Sequence, residues 1–298
     1  MKEEYFITGA GGFIGRHLVN RMLDDGDSVH ILIRNSSRRT LPDRWQPQVY
    51  VHIWNETTEG LIGIMNQVQP SVVIHAASLF IAEHTSSQVD ALIGSNVLFG
   101  TQLLEAMAVA GVKKLINFGT SWQHFRNEPY NPVCLYAATK QAFEDIVTFY
   151  VEARGLRVIT LKLFDTYGPD DDRKKLFSTL MHLLRTGESL SLSPGEQIVD
   201  FVHVDDVVEA TLVVRQRLFA NSNSKECFAI SSGEPLPLRD LVAMVGDAAG
   251  KPLNIVWGGR PYRAREVMEP WTAFSTLPGW SPRISLKEGI RRMVSSHV

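Results

Sequence analysis

Through its first 164 residues the chain alternates β-rich runs with segments of helical apolar spacing. Tyr5 to Thr8 is such a run and ends in glycine. Ile14 to Asp25 places Ile14, Leu18 and Met22 on one helical face, and Gly26 closes it. Strand-like runs follow at Ser28 to Ile33 and Val49 to Ile53, then a helix at Thr58 to Val68 stopped by Pro70, and a strand at Ser71 to His75. A long helix fits Ala91 to Ala110, a strand Lys114 to Phe118, a helix Leu135 to Ala153 and a strand Val158 to Phe164. Repetition of this kind makes a parallel sheet with helices on both faces. Right-handed crossovers make it doubly wound, with ligands at the carboxyl ends of the strands. After Gly168 the alternation weakens. Shorter elements are expected there, with turn clusters at Ser193-Pro194-Gly195, Ser231 to Pro237 and Trp257 to Pro261. The reading is therefore a main α/β domain over 1–167 and, over 168–298, a smaller mixed lobe, some of whose segments return to the main sheet.

An apolar share of 44% in 298 residues suffices for a proper core, which excludes a mainly disordered or collagen-like chain. Thirty basic against 32 acidic residues leave a net charge of −2, so neither nucleic acid nor an anionic membrane is an expected partner. Cys134 and Cys227 are the only cysteines and indicate neither a disulfide framework nor a zinc site. His124, His203 and the other histidines are not at metal-ligand spacing, and no metal is expected. No apolar stretch approaches the ~18 residues of a transmembrane helix, and the first strand begins too early for a signal peptide. A soluble cytoplasmic protein is the expectation.

Thr8-Gly9-Ala10-Gly11-Gly12-Phe13-Ile14-Gly15 lies between the first strand and the first helix. Gly9 permits a tight turn, Gly12 lets the backbone approach a pyrophosphate, and Gly15 lets helix and strand pack closely. The free N–H groups and dipole at the helix start favour the anion. A glycine turn alone is weak; the strand before it and the helix after it supply the context that makes it a dinucleotide site. Gly9, Gly12, Phe13, Ile14 and Gly15 are the expected cofactor contacts.

Tyr136 and Lys140 stand one helical turn apart at the start of the helix after the fifth strand. An ammonium beside a phenol stabilises the phenolate, so the tyrosine can protonate a developing alkoxide near neutral pH. Thr120 and Ser121 end that strand, where a hydroxyl can hydrogen-bond a substrate carbonyl. On spacing alone the pair would be an ordinary surface pair; joined to the glycine turn it reads as catalytic, with Tyr136, Lys140 and Thr120 as the candidates.

These features, with His75-Ala76-Ala77, Asn96-Val97, Tyr167-Gly168-Pro169, Gly195-Glu196-Gln197 to Asp205-Asp206 and Gly279 to Arg283, resemble the extended short-chain dehydrogenase/reductases of the nucleotide-sugar epimerase/dehydratase/reductase group. The resemblance covers nearly the whole chain. It implies a Rossmann-type doubly wound sheet with a C-terminal substrate-binding lobe, and adds Ala76, Ala77 and Asn96 to the cofactor contacts. Family dehydratases carry an Asp-Glu pair after the active-site threonine; here Ser121 and Trp122 stand there, which argues against elimination of water. Family epimerases usually hold NAD with an acidic residue after strand two. No carboxylate occurs from Val29 to Pro42, whereas Arg34, Ser36 and Arg38 suit the 2′-phosphate of NADP, so NADP(H) is preferred and NAD possible.

Tyr136 follows Thr120 by only 16 positions, a short gap similar to that of CDP-paratose and CDP-abequose synthases. The reaction so implied is NADPH-dependent reduction of the C4 ketone of a nucleotide-diphospho-4-keto-6-deoxyhexose. The alternatives are a 4-epimerase with tightly bound NAD, a reductase of small ketones, and a non-catalytic dinucleotide sensor. Ser121, Trp122, Asp165 and Arg263 are the expected substrate contacts. Asp165 stands where the family often has Asn, and Val199 where it often has a phosphate-binding Arg; Arg263 is the best remaining cation. In the family, the helices equivalent to Ala91–Ala110 and Leu135–Ala153 pair between subunits, which implies a homodimer.

Overall fold

The protein is described here as a computed structural model covering residues 3–34, 41–173 and 175–297. The first half runs β1 (Glu4–Thr8), α1 (Phe13–Asp24), β2 (Ser28–Arg34), β3 (Val49–Trp54), α2 (Thr58–Val68) and β4 (Val72–His75). A long helix follows: α3 (Val89–Ile93), a single π-helical stretch Gly94–Leu98, and α4 (Phe99–Ala110). It leads to β5 (Lys114–Thr120), α5 (Leu135–Arg154), β6 (Arg157–Leu163) and β7 (Asp165–Tyr167). The remainder comprises α6 (Leu176–Thr186), β8 (Leu190–Leu192), β9 (Ile198–Val199), β10 (Phe201–His203), α7 (Val204–Ala220), β11 (Lys225–Ile230), β12 (Leu236–Pro237), α8 (Leu238–Ala249), β13 (Ile255–Trp257) and α9 (Leu286–His297).

Seven strands form the main sheet in the order β11-β6-β5-β4-β1-β2-β3, every neighbour parallel. Strand order reverses between β1 and β4, and a crevice opens there at the carboxyl ends. The central strands are apolar on both faces, as a doubly covered parallel sheet requires. On one face Tyr5, Ile7, Ile74 and Ile116 pack with Leu18 and Met22 of α1 and Val207, Val214 and Leu218 of α7. On the other, Phe6, Val73 and Leu115 pack with Leu61 and Met65 of α2, Leu103 and Met107 of α4, and Phe143 and Val147 of α5. A third core, built from Phe177, Leu180 and Leu184 of α6, Leu241 and Val245 of α8, and Ile290 and Met293 of α9, belongs to the C-terminal elements.

Two expectations need correction. The long helix begins at Val89, ahead of Ala91, and is not regular: it widens by one π turn at Gly94–Leu98. Asn96 lies in that turn and is held by two separate segments, the chain after β4 and α5, which a regular helix read from periodicity does not anticipate. Nor are the elements after Gly168 uniformly short. α7 spans 17 residues and feeds β11, which adds to the main sheet beside β6. At the start of α7, Asp206 is buried, and its carboxylate accepts the N–H groups of Arg283 and Ile284 at 2.9 and 3.1 Å. Among the described residues one helical stretch, Ser86–Ala110, has the length and hydropathy of a membrane span; Phe99, Leu103, Leu104 and Met107 within it lie in the core.

Candidate active site

The glycine turn is dictated by close approach. Gly9 has φ 71°, and a Cβ there would lie 2.4 Å from the backbone nitrogen of Ala77. A Cβ on Gly15 would lie 2.1 Å from the carbonyl oxygen of Gly9. Gly12 caps α1 with no side-chain hydrogen bond, so the first N–H groups of the helix face the crevice unblocked. Behind the turn, the Thr8 hydroxyl accepts the Ala77 N–H at 3.3 Å and donates to Nδ1 of His75 at 2.8 Å. Burial, and secondarily the Lys140 ammonium, push His75 down to about 3, so its imidazole is a neutral acceptor for Thr8.

A cavity of about 650 Å³ extends from the glycine turn over the end of β2. It is lined by Gly9, Gly12, Arg34, Glu56, Ala76, Ala77 and Gln102, among others. Ser36 and Arg38, expected at the same place, lie outside the described residues. Glu56 was not anticipated: it follows β3, well beyond the stretch in which a carboxylate was sought. Asn96 does not line the crevice. Its Oδ1 accepts from Leu79 N and the Ser78 hydroxyl, and its Nδ2 donates to Leu79 O and Thr139 Oγ1. It braces the chain after β4 against α5 and has no amide hydrogen left for a cofactor.

A second cavity, about 670 Å³, shares Gly9, Gly12, Ala76 and Ser78 with the first and brings in Phe13, Ile14, Gly15, Thr120, Ser121, Trp122, Tyr136, Lys140 and Asp165. The glycine turn and the Tyr/Lys pair, more than 120 positions apart in sequence, thus open onto one cleft. β5 delivers Thr120 to its floor, and the Thr120 hydroxyl accepts the Trp122 N–H at 3.3 Å, which leaves its own proton free to donate. The Tyr136 ring meets Phe80 edge-on at 4.9 Å, and Ser78 is within hydrogen-bond reach of its phenol. Lys140 is buried and donates to the carbonyl of Phe118 at 2.9 Å.

The electrostatics differ from expectation here. Burial raises the Tyr136 phenol above its usual value, and burial lowers Lys140 to about 8, partly offset by Glu144. Lys140 is not what sets the phenol's acidity in this state: desolvation outweighs the nearby charges, and the ammonium is directed at a carbonyl.

A third cavity, about 320 Å³, continues from Ser121, Trp122, Phe164 and Asp165 into the C-terminal elements, where Val199, Arg263, Glu266 and Trp271 line it. Asp165 is 3.5 Å from the Lys175 ammonium, so the carboxylate that stood out in sequence is paired. Lys175 lines both cavities and caps the Phe80 ring at 4.7 Å. Lys175 does not stand out in the sequence, where it follows Arg173 and Lys174 and nothing local separates it from them. Arg263 lies over the Trp122 ring at 5.1 Å and grips Glu266 through Nε and Nη2 at 3.0 and 2.7 Å, an arrangement that raises its pKa further. Its Nη1 face remains for an anion.

Residues 5–227 match the model of the NAD dependent epimerase/dehydratase family. The chain belongs to that family. Relatives within reach of it include CDP-abequose synthase of Salmonella muenchen, 24% identical over 99% of this chain and 98% of that protein. UDP-glucose 4-epimerase of Mycolicibacterium smegmatis is 27% identical over 97% and 96%. Among solved structures, UDP-glucose 4-epimerase from Thermotoga maritima with UDP-glucose superposes with a TM-score of 0.84 at 23% identity, covering 98% of this chain and 97% of that one. The epimerase/dehydratase fold thus extends through the C-terminal elements beyond the segment that defines the family.

Proposed function

We propose that the protein is an NADPH-dependent 4-ketoreductase of a nucleotide-diphospho-4-keto-6-deoxyhexose. The observation that carries the reading is the shared cleft, in which Tyr136, Lys140 and Thr120 stand between the glycine turn and a cavity reaching Lys175 and Arg263. Gly9, Gly12 and Gly15 fit a dinucleotide, because a Cβ on Gly9 or Gly15 would strike backbone and the uncapped start of α1 offers its N–H groups. Arg34 at the end of β2 suits a 2′-phosphate, with Ser36 and Arg38 as further contacts. The bound nicotinamide supplies hydride. Thr120 donates its free hydroxyl proton to the ketone oxygen and orients it. Tyr136 donates the proton that the alkoxide takes up, and Lys140 holds positive charge beside it. Arg263, with Lys175, receives the diphosphate, and Trp122 borders the sugar.

Ser121 and Trp122, where dehydratases carry carboxylates, support reduction over elimination, as does the likeness to CDP-abequose synthase. The likeness to a UDP-glucose 4-epimerase favours a second reading, redox-neutral epimerisation at C4 with retained NAD. Two measurements separate them. A reductase purifies without bound nucleotide and oxidises one NADPH per ketosugar in a panel of CDP-, dTDP-, GDP- and UDP-linked 4-keto-6-deoxyhexoses. Tightly bound NAD, and interconversion of UDP-sugars with no added reductant, would establish the epimerase.

A further inference from the structure

Behind the Thr120 end of β5 lies a buried polar chain that the proposed chemistry does not use. Gln123 is fully buried. Its Oε1 accepts the Thr120 N–H at 3.0 Å, and its Nε2 donates to Gln141 at 2.8 Å and Glu144 at 2.9 Å, both on α5. The other oxygen of Glu144 is 3.3 Å from the Lys162 ammonium on β6. Lys162 in turn donates to Nε2 of His124 at 2.8 Å. Because an ammonium only donates, Nε2 is the acceptor and Nδ1 carries the hydrogen, which goes to the Glu128 carbonyl at 3.1 Å. His124 is held in one tautomer and one orientation. Its ring stacks on Trp271 at 3.9 Å with 14° between planes.

Glu144, Lys162 and His124 are each more than nine-tenths buried, at 7%, 5% and 7% exposure. Such a set is costly to bury unless every member is satisfied, and its geometry is then rigid. Gly119 makes room for it: a Cβ there would lie 2.9 Å from Gln123 Oε1 and Glu144 Oε1 and 3.1 Å from Lys162 Cγ, and those side chains would have to shift. One end of the chain fixes the backbone of Thr120. The other fixes the His124–Trp271 stack, and both rings line the cavity proposed for the nucleotide sugar. Thr272, next to Trp271, ties in as well: its N–H and hydroxyl donate to Asn127 Oδ1 at 2.6 and 3.2 Å.

We infer that Lys162 and His124 are positioning residues for the sugar: Lys162, anchored on Glu144, orients His124 and through it Trp271, so that the ring wall of the pocket keeps register with the Thr120 hydroxyl. The inference rests on the proposed reading of the cleft as a nucleotide-sugar site. The ligand chemistry is the C–H face of a deoxypyranose against the aromatic edge formed by His124, Trp271 and Phe164.

The test compares His124→Ala, His124→Phe and Lys162→Met with the unaltered protein. NADPH affinity is read from nucleotide fluorescence, and KM and kcat from a ketosugar that the unaltered protein reduces. His124→Ala and Lys162→Met are expected to raise the ketosugar KM about tenfold, with kcat and NADPH affinity changed less than threefold. His124→Phe, which keeps a ring against Trp271 and loses the acceptor, is expected between them and the unaltered protein. An unchanged KM, or equal losses in KM and NADPH affinity, would overturn the inference. If no ketosugar is reduced, the proposed function fails by itself, and a second measurement still tests the Lys162–His124 contact on which the inference stands. The ring of His124, followed by NMR, is expected to protonate at higher pH in Lys162→Met, since Lys162 is the only charged side chain in contact with it among the described residues. A midpoint unmoved by that substitution would overturn the Lys162–His124 contact itself.

Discussion

At the scale of single residues the proposed chemistry rests on Tyr136 and Lys140, and burial governs both. Replacing Tyr136 with Phe removes the acid and leaves the glycine turn intact. Turnover is expected to fall by about 10²–10⁴-fold, with NADPH binding unchanged by fluorescence titration. Lys140, lowered to about 8, is charged at neutral pH and loses its proton as pH rises through that value. The rate is therefore expected to decline above about pH 8, a limb absent from the binding of NADPH to the glycine turn. The same shift bears on stability, and the sign follows from which state holds the proton. Between about 8 and the ordinary lysine value near 10.5, the unfolded chain binds a proton that the folded one has released, so stability rises with pH across that window. At pH 7 keeping the ammonium buried costs on the order of 3 kcal/mol. Lys140→Met is thus expected to melt at a higher temperature at pH 7 while losing activity, and the stability gain should disappear above about pH 10.5.

Among elements, the β1–turn–α1 unit was legible because its glycines answer to local sterics. Gly15 is required by its distance from the carbonyl of Gly9, six residues earlier, and sequence spacing carries that information. Gly15→Ala is expected to weaken NADPH binding at least tenfold, measured by titration, with the Tyr136 end of the cleft still folded. Asn96 shows the opposite case. A polar residue inside an apolar helix marks something special, yet only the fold reveals that its partners are Leu79 and Thr139. The π turn, the buried Asp206 and the pairing of Asp165 with Lys175 were hidden for the same reason: each depends on a partner distant in sequence or on backbone widening that periodicity does not encode. The sequence leaves His124 between an ordinary core or surface histidine and, with Trp122, a residue of the short loop beside the active site that shapes the sugar pocket; Trp271 does not stand out in it at all. Their stack joins residues 147 positions apart, and no local pattern predicts it.

Across the whole molecule, the cleft lies where the main sheet meets the C-terminal elements, and both must be in place for it to exist. Their junction is built from Arg263 over Trp122, Arg265 over the Phe125 ring at 4.4 Å, and the His124–Trp271 stack. Phe149 of α5 is 56% exposed, and Val109 of the neighbouring long helix is 55% exposed. Apolar exposure of this kind on two packed helices suits burial against a second copy. The unaltered protein is expected to sediment as a dimer, and Val109→Glu with Phe149→Glu as a monomer.

The most direct measurement follows a deuterium label. NADPH carrying deuterium at C4 of the nicotinamide is incubated with a nucleotide-linked 4-keto-6-deoxyhexose, and the product is examined by NMR. Transfer of one deuteride to C4 of the sugar per NADPH oxidised, slowed by orders of magnitude in Tyr136→Phe, is the expected result. A product formed without deuterium at C4 while NADPH is left unconsumed would contradict the reductase.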